Sequence, residues 1–373
     1  MDRNDWARAA MNFDLSDEQK MLGEQARALL SDLSSFDRLR VLIDSGAEWD
    51  EPLWRALADM GFLGAAIPEA YGGLGLGALD LGVIMEALGA ANAAVPFMSS
   101  IVLGAEAIRL AGSEAQKAAW LPKLASGEAV ATFAYAEGPG PVFATGVTLE
   151  GGRLNGSKSP VADAGIADVA VVLVAGGGFA LVELGQPGVA RTRLDSFDQL
   201  RAHYRLDFAE AAAEAMPGAG KLDRLIDQAA VQAAFEAAGA AEACLKMARD
   251  YAMERQMFGR PLAGYQAIKH KLADVAVATE LARSNAYYGG WAAESSPDDL
   301  PAAAAAARLS GIKCLEMAAR ENLQVHGGIG YTFEANCHFY YRRERMLAVH
   351  LGNRGFWADR LLNAQPGSQG KAA

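Results

Sequence analysis

The chain is poor in the residues from which metal sites and disulfide scaffolds are built. Its 373 residues hold three cysteines, Cys244, Cys314 and Cys337, far apart and without a CxxC pair. That spacing argues against a disulfide framework or a structural zinc site and fits a reducing cytosol. The five histidines show no i, i+4 pairing and no carboxylate cluster beside them, so no metal is expected. Basic charge is also short: 34 Lys and Arg stand against 45 Asp and Glu, a net charge of -11 that disfavours a nucleic-acid surface. No long hydrophobic run is present. The stretch Val169 to Leu184 is too short and too broken by glycine to span a bilayer. The start, Met1 to Asp5, lacks the apolar core of a signal peptide, so a cytoplasmic protein without membrane contact is expected. A dinucleotide-binding fingerprint is missing as well. Gly72 to Gly77 reads GGLGLG, but no β-strand precedes it and no βαβ unit surrounds it.

What remains is ordinary for a globular enzyme: 51% hydrophobic and 21% charged residues, in a chain long enough for two or three packed units. Residues 1–125 read as a helical domain. Ser16 opens its first helix, since its hydroxyl can accept from an orphan N–H of the first turn. Further helices are expected over Trp49–Met60, Leu79–Leu88, Ala105–Ala111 and Glu114–Leu121, with Pro122 closing the block. Residues 126–216 are richer in β-formers, in short runs separated by Gly151-Gly152 and by Gly176 to Gly178. Such pairs suit hairpin turns, and the unit reads as an antiparallel barrel or sandwich. Residues 217–364 return to long helices, over Leu222–Arg255, Tyr265–Trp291, a stretch from Asp298 to Gly327, and Asn336–Leu362. These form a four-helix bundle. Residues 365–373 are expected to be a disordered tail. The fold class is therefore α+β and multidomain: helices, a middle β-barrel, then a helical bundle.

One junction in that bundle has the chemistry of a cofactor grip. Between Glu254 and Gln266 a long Ala-rich helix breaks at Gly259 and Pro261 and restarts. The break holds Arg255, Phe258 and Gln266 together. A planar guanidinium makes charge-assisted, often bidentate bonds to phosphate oxygens. A plain reading is also open, with Arg255 as a charge complementing the helix C-terminus.

Four motifs in order identify a resemblance. Ile67 to Gly75 reads IPEAYGGLG, and Gly112 to Gly127 opens GSEAQK and ends WLPKLASG. Arg255-x-x-Phe258-Gly259 is followed by Gln266, and Gln324 to Tyr331 reads QVHGGIGY. Nearly end to end, the chain resembles an acyl-CoA dehydrogenase. The resemblance implies a helix–barrel–helix subunit that forms dimers or tetramers, homomeric or heteromeric, with FAD across a subunit interface. It implies an acyl-CoA substrate of fatty-acid or steroid side-chain metabolism and an electron-transfer flavoprotein as acceptor. Arg255 looks like the arginine that contacts the FAD pyrophosphate of a neighbouring subunit. Phe258 looks like the aromatic beside the adenosine half, and Gln266 like a polar contact near it. Gln324, Gly327 and Gly328 resemble the segment where backbone approaches the cofactor, which glycine permits; the plain reading of the glycine pair is a helix stop.

The resemblance fails where chemistry is expected. The family removes an α proton with a glutamate while hydride leaves the β carbon for the flavin. The usual position of that glutamate is Leu351 here, within His350-Leu351-Gly352, and a second family position falls near Ala229. Neither can accept a proton. Glu236, nearly on the face of Ala229 but two turns away, is the candidate relocated base, with His350 a weaker one; the plain reading of Glu236 is a helix carboxylate. The flavin-facing runs are changed too. Ala136-Glu137-Gly138 replaces a Thr-Glu-Pro run, and Lys158 to Ala162 (KSPVA) replaces a Lys-x-Trp-Ile-Thr run. Losing an aromatic stack and two hydroxyls costs on the order of a few kcal/mol of flavin binding.

Two functions are thus expected in competition. One is an FAD-dependent acyl-CoA dehydrogenase with an unusual base. The other is the base-less accessory half of a heteromeric enzyme whose partner supplies the glutamate, as in some actinobacterial relatives acting on steroid thioesters. A flavin-dependent oxidase or monooxygenase on the same fold is a further alternative. Small residues at Gly239, Ala240 and Ala241 offer either room for a bulky acyl chain or close helix packing.

Overall fold

Local capping fixes the first unit. The computed structural model describes residues 15–364, so the tail expected from Gln365 lies outside the described residues. Gln19 N donates to Ser16 Oγ at 3.2 Å, and Ser16 N donates to Gln19 Oε1 at 3.1 Å. This reciprocal cap opens α1, Asp17–Leu33. Then come α2 (Phe36–Ser45), which the sequence reading omits, and α3 (Glu51–Asp59), capped by Asp50. α4 spans Ala78–Ala90. A buried π-helical stretch, Met98–Ala105, leads into α5 (Glu106–Ala111). α6, Glu114–Ala125, does not stop at Pro122 as expected. Proline lacks a donor but keeps its carbonyl, and Pro122 O accepts from Ser126 N at 3.0 Å.

The middle unit is two four-stranded sheets, not a closed barrel. One sheet has the order β1 (Ala131–Ala134), β4 (Val169–Leu173), β5 (Phe179–Glu183), β8 (Glu214–Met216). The other runs β2 (Thr148–Glu150), β3 (Arg153–Ala162), β7 (His203–Ala212), β6 (Val189–Leu194). The pairing of β1 with β4 is parallel, so the unit is not purely antiparallel either. Every residue of β4 is buried, as its unbroken apolar run requires. Both glycine turns are where expected: Gly151 and Gly152 lie at φ +55° and +77°, the double left-handed geometry that suits a two-residue hairpin. β3 shifts register between Lys158 and Val161, where Pro160 cannot donate to the ladder. That irregularity falls in the Lys158–Ala162 run, where the resemblance implies a tryptophan.

The C-terminal unit is built on three long helices, α7 (Leu222–Glu254), α8 (Gln266–Ser295) and α9 (Leu300–His326). The expected single last helix is two, α10 (Cys337–Leu347) and α11 (Arg354–Asn363), parted where Leu351 and Gly352 take φ +59° and +105°. α7 crosses α4 with almost no side chain between them. A Cβ on Gly239 would lie 1.9 Å from Glu86 O, and one on Gly89 would lie 2.0 Å from Glu236 O. The small residues on α7 therefore serve close packing and leave no room for an acyl chain. Cys244, Cys314 and Cys337, distant in sequence, are all buried and unpaired by disulfide. Burial pushes the Cys314 and Cys337 thiols up to about 12. Among the described residues, no group of His, Cys, Asp and Glu could hold a metal ion, and no helix is long and apolar enough to cross a membrane.

Candidate functional site: an outward hairpin and a closed cleft

The residues singled out in the sequence fall into two places with opposite character. The first is one end of the bundle. α7 stops at Glu254, and β9 (Gln256–Met257) pairs with β10 (Arg260–Pro261) in a tight antiparallel hairpin. Its two turn residues, Phe258 and Gly259, have φ +50° and +79°. Glycine takes this conformation freely, but for phenylalanine it is strained by roughly 1–2 kcal/mol. The strain accompanies a display: the Phe258 side is 92% exposed. The hairpin is braced from behind. Arg260 stacks on the Tyr265 ring at 3.9 Å, Tyr265 Oη donates to Met257 O at 2.8 Å, and Leu262 N donates to Arg255 O at 2.9 Å.

Arg255 follows the last residue of α7 and is exposed, with no ion pair among the described residues. Gln266, the first residue of α8, and Gln324 on the last turn of α9 are exposed too. Tyr251 stacks on His326 at 4.2 Å, and Val325 packs in one cluster with Leu262 and Ile268. These contacts bring the Gln324–Gly328 segment beside the hairpin. Gly327, at φ +67°, and Gly328 both have open space where a Cβ would be. Met253, Met257, Ile329 and Tyr331 add exposed apolar surface at this end of the chain. Such a patch marks a surface that is covered in use.

The second place is the cleft where the middle sheets meet the break between α10 and α11. It contains only about 80 Å³, lined in part by Ser99, Tyr135, Pro160, His203 and His350. Aromatic rings pack beside it. Phe143 lies 5.2 Å from the Tyr135 ring and 5.7 Å from Phe356. Tyr135 Oη accepts from Leu351 N at 3.3 Å and lies 3.4 Å from His350 Nδ1. Leu351 and Ala229 are both fully buried. Lys158 is buried as well and donates to Glu137 Oε1 and Ala144 O, each at 2.6 Å. Glu137 also accepts from Gly146 N and Val147 N, and these bonds tie down the loop carrying Phe143. Burial alone would raise the Glu137 carboxyl, but Lys158 and the backbone donors hold it below its usual range.

Glu236 lies beneath this cleft in a buried ion network. Its Oε1 accepts from Arg201 Nη2 at 2.6 Å and from Arg343 Nη1 at 3.4 Å. Arg343 in turn bonds Asp198 at 2.5 Å. Asp163, pushed up chiefly by burial, bonds Ser99 at 2.5 Å nearby. Arg308, also fully buried, donates to Leu347 O and His350 O, and burial lowers it to about 10. Glu236 is 0% exposed, with its lone pairs committed to guanidinium groups. A catalytic base needs reach to the proton it takes. His350 is held well below its ordinary value, first by burial and then by Arg308 and Arg201. Its Nε2 has no partner.

Sequence reasoning missed Tyr135, Phe143 and Phe356 as the closing rings, and Arg201 and Arg343 as partners of Glu236. Tyr135 directly precedes the altered Ala136-Glu137-Gly138 run, the one local signal available.

Residues 16–128 match the model for the acyl-CoA dehydrogenase N-terminal domain, and residues 218–360 match that for the C-terminal domain. Acyl-CoA dehydrogenase IpdE2 of Mycobacterium tuberculosis is 30% identical over 88% of this chain and 91% of its own length. The chain belongs to the acyl-CoA dehydrogenase family. Members are FAD-dependent oxidoreductases acting on acyl-CoA. Among solved structures, the Tcur3481–Tcur3483 steroid ACAD is 31% identical with a TM-score of 0.88, covering 95% of this chain and 99% of that one. A chain of the ChsE4–ChsE5 complex from Mycobacterium tuberculosis is 27% identical at a TM-score of 0.88, covering 96% and 100%.

For the family's cofactor, the two places give different answers. A cleft of about 80 Å³ lies well below the roughly 300–1,000 Å³ of small-molecule sites. The Tyr135 ring lines it, with Phe143 packed against that ring. The residues of this chain's own cleft do not fit a flavin ring system. The hairpin end offers groups that fit a flavin nucleotide: an exposed guanidinium for phosphate, a displayed aromatic ring, two exposed amides and a bare backbone.

Proposed function

We propose that this chain is the accessory subunit of a heteromeric acyl-CoA dehydrogenase, serving α,β-desaturation of an acyl-CoA thioester on an FAD held mainly by a companion chain. The observation that carries this reading is the closed cleft: Leu351 and Ala229, the positions the resemblance assigns to the base, are buried, and Tyr135 lies against the backbone of Leu351. The bound FAD would supply the hydride acceptor. This chain's part is to hold it. Arg255 would pair with the pyrophosphate, Phe258 would cover the adenosine half, Gln266 and Gln324 would bond its polar edges, and Gly327-Gly328 would allow close backbone approach. Glu236 serves as the buried counter-charge of Arg201 and Arg343. The complexes named for two similar structures support a two-chain assembly. An electron-transfer flavoprotein is the proposed acceptor.

Purification alone and with a companion chain from the same host tests the reading. The chain alone is expected to be colourless and inactive toward an artificial electron acceptor with any acyl-CoA. The co-purified assembly is expected to be yellow and active. A yellow, active protein made from this chain alone would overturn the accessory role, and oxygen consumption by it would point to an oxidase or monooxygenase.

A further inference from the structure

A second, larger cleft lies on another side of the π-helical stretch. Ser99 and Leu103 line the closed cleft, whereas Ile101, Val102 and Ala105 line this one. Its volume is about 320 Å³, within the range of small-molecule sites. It opens between the loop before α4, the N-terminal turns of α7 and the end of α8. Its walls are largely hydrocarbon, from Ile67, Leu76, Leu81, Ile101, Val102 and Ala293.

Two polar atoms in that lining are unexplained by the fold. Gln228 Oε1 and Gln232 Oε1 are both buried and have no hydrogen-bond partner. They sit one helical turn apart on α7, so both face the same side. Gln232 is 3% exposed, and its Nε2 donates to Ala78 O at 2.9 Å. That bond fixes the amide with nitrogen on the carbonyl and oxygen away from it. A buried acceptor left unsatisfied is costly and is normally completed by something. Water is a poor candidate for a space so largely walled by hydrocarbon, because each ordered molecule needs two to four polar partners. The rim carries Arg109, Arg224, Glu106 and Glu294. Arg109 and Glu106 neutralise each other through two contacts of 2.6 Å, and the rim as a whole is formally neutral.

We propose that this cleft binds a neutral, mainly hydrocarbon molecule bearing a hydroxyl or N–H group, whose donor meets the oxygens of Gln228 and Gln232. A phosphate group is disfavoured there, since it would bring negative charge against two acceptor oxygens. The site is separate from the hairpin and from the closed cleft, and does not depend on the accessory role.

The test uses the full chain and 4-tert-butylcyclohexanol, followed by ligand-observed NMR. Its methyl ether, which keeps the hydrocarbon and removes the donor, is the control. The alcohol is expected to bind saturably at one site, and the ether at least tenfold more weakly. Gln228→Leu should weaken the alcohol at least tenfold, and Ala105→Phe, which fills the cleft, should abolish binding. Ala293→Leu is the second filling variant should Ala105→Phe not fold. Absence of saturable binding to the wild-type chain would overturn the proposal. So would undiminished binding to the filled variant, and equal binding of the ether would overturn the role of the two glutamines.

Discussion

The end of the bundle and the cleft beneath the sheets treat their polar groups in opposite ways. At the hairpin, Arg255, Gln266 and Gln324 are exposed, and Phe258 is held out in a strained backbone. In the cleft, Tyr135 caps a backbone N–H, Lys158 is buried against Glu137, and Glu236 is locked between two arginines. One region is built to be completed from outside, and the other is complete already. Under the proposed function, the first region would serve a companion chain and the second would serve this chain's own stability.

Substitutions at the two regions should separate cleanly. The largest effect is expected for Glu236→Ala. Removing one partner of a buried ion network leaves guanidinium charge uncompensated and costs about 3–5 kcal/mol, read as a lower urea midpoint. A variant with unchanged stability and lost turnover would instead make Glu236 a reacting group and break the contrast.

Arg255→Ala should leave the chain's own thermal midpoint unchanged, because the side chain is exposed and makes no ion pair. In the assembly it should lose a charge-assisted bond of about 1.5–3 kcal/mol, so FAD retention on dialysis falls roughly 10- to 100-fold. Next is the pH dependence of the closed cleft. His350 is neutral in the folded chain well below its ordinary value, whereas the unfolded chain takes up the proton near pH 6.5. Stability is full above about pH 6.5 and falls as pH drops below it, by up to about 1.4 kcal/mol per unit for this group. His350→Phe should flatten that acid limb in denaturation measured from pH 7.5 to 5. The smallest effect is also the most telling in sign. Phe258→Gly should stabilise the isolated chain by about 1 kcal/mol as the left-handed strain is released, while weakening FAD retention in the assembly. A variant that destabilises the chain would show that the ring serves its own fold.

Much of the helical frame was legible because its signals are local. Ser16 and Ser113 form caps with residues three positions on, and the Gly-Gly pairs turn hairpins where they stand. The break after α7 was legible for the same reason, marked by Gly259 and Pro261, although the hairpin within it was not read. β6 escaped notice because its Val-Ala-Arg-Thr-Arg-Leu run is largely exposed and carries two arginines. The break between α10 and α11 was hidden by apolar residues that continue a helical pattern across it. The rings of Tyr135, Phe143 and Phe356 share a place only after the middle and C-terminal units have packed. The partners of Glu236 are likewise 35 and 107 positions away. No spacing rule reaches that far.

The braced turn at Phe258 has a consequence in time as well as in contact. Its backbone is braced by Tyr265 and Arg260 within one short segment, so the turn is ordered when the chain folds and not when chains meet. The loss of freedom that docking a mobile loop would bring is already incurred. A companion should find this surface ready at first encounter, with association slowed only by orientation and with no waiting for a loop to settle.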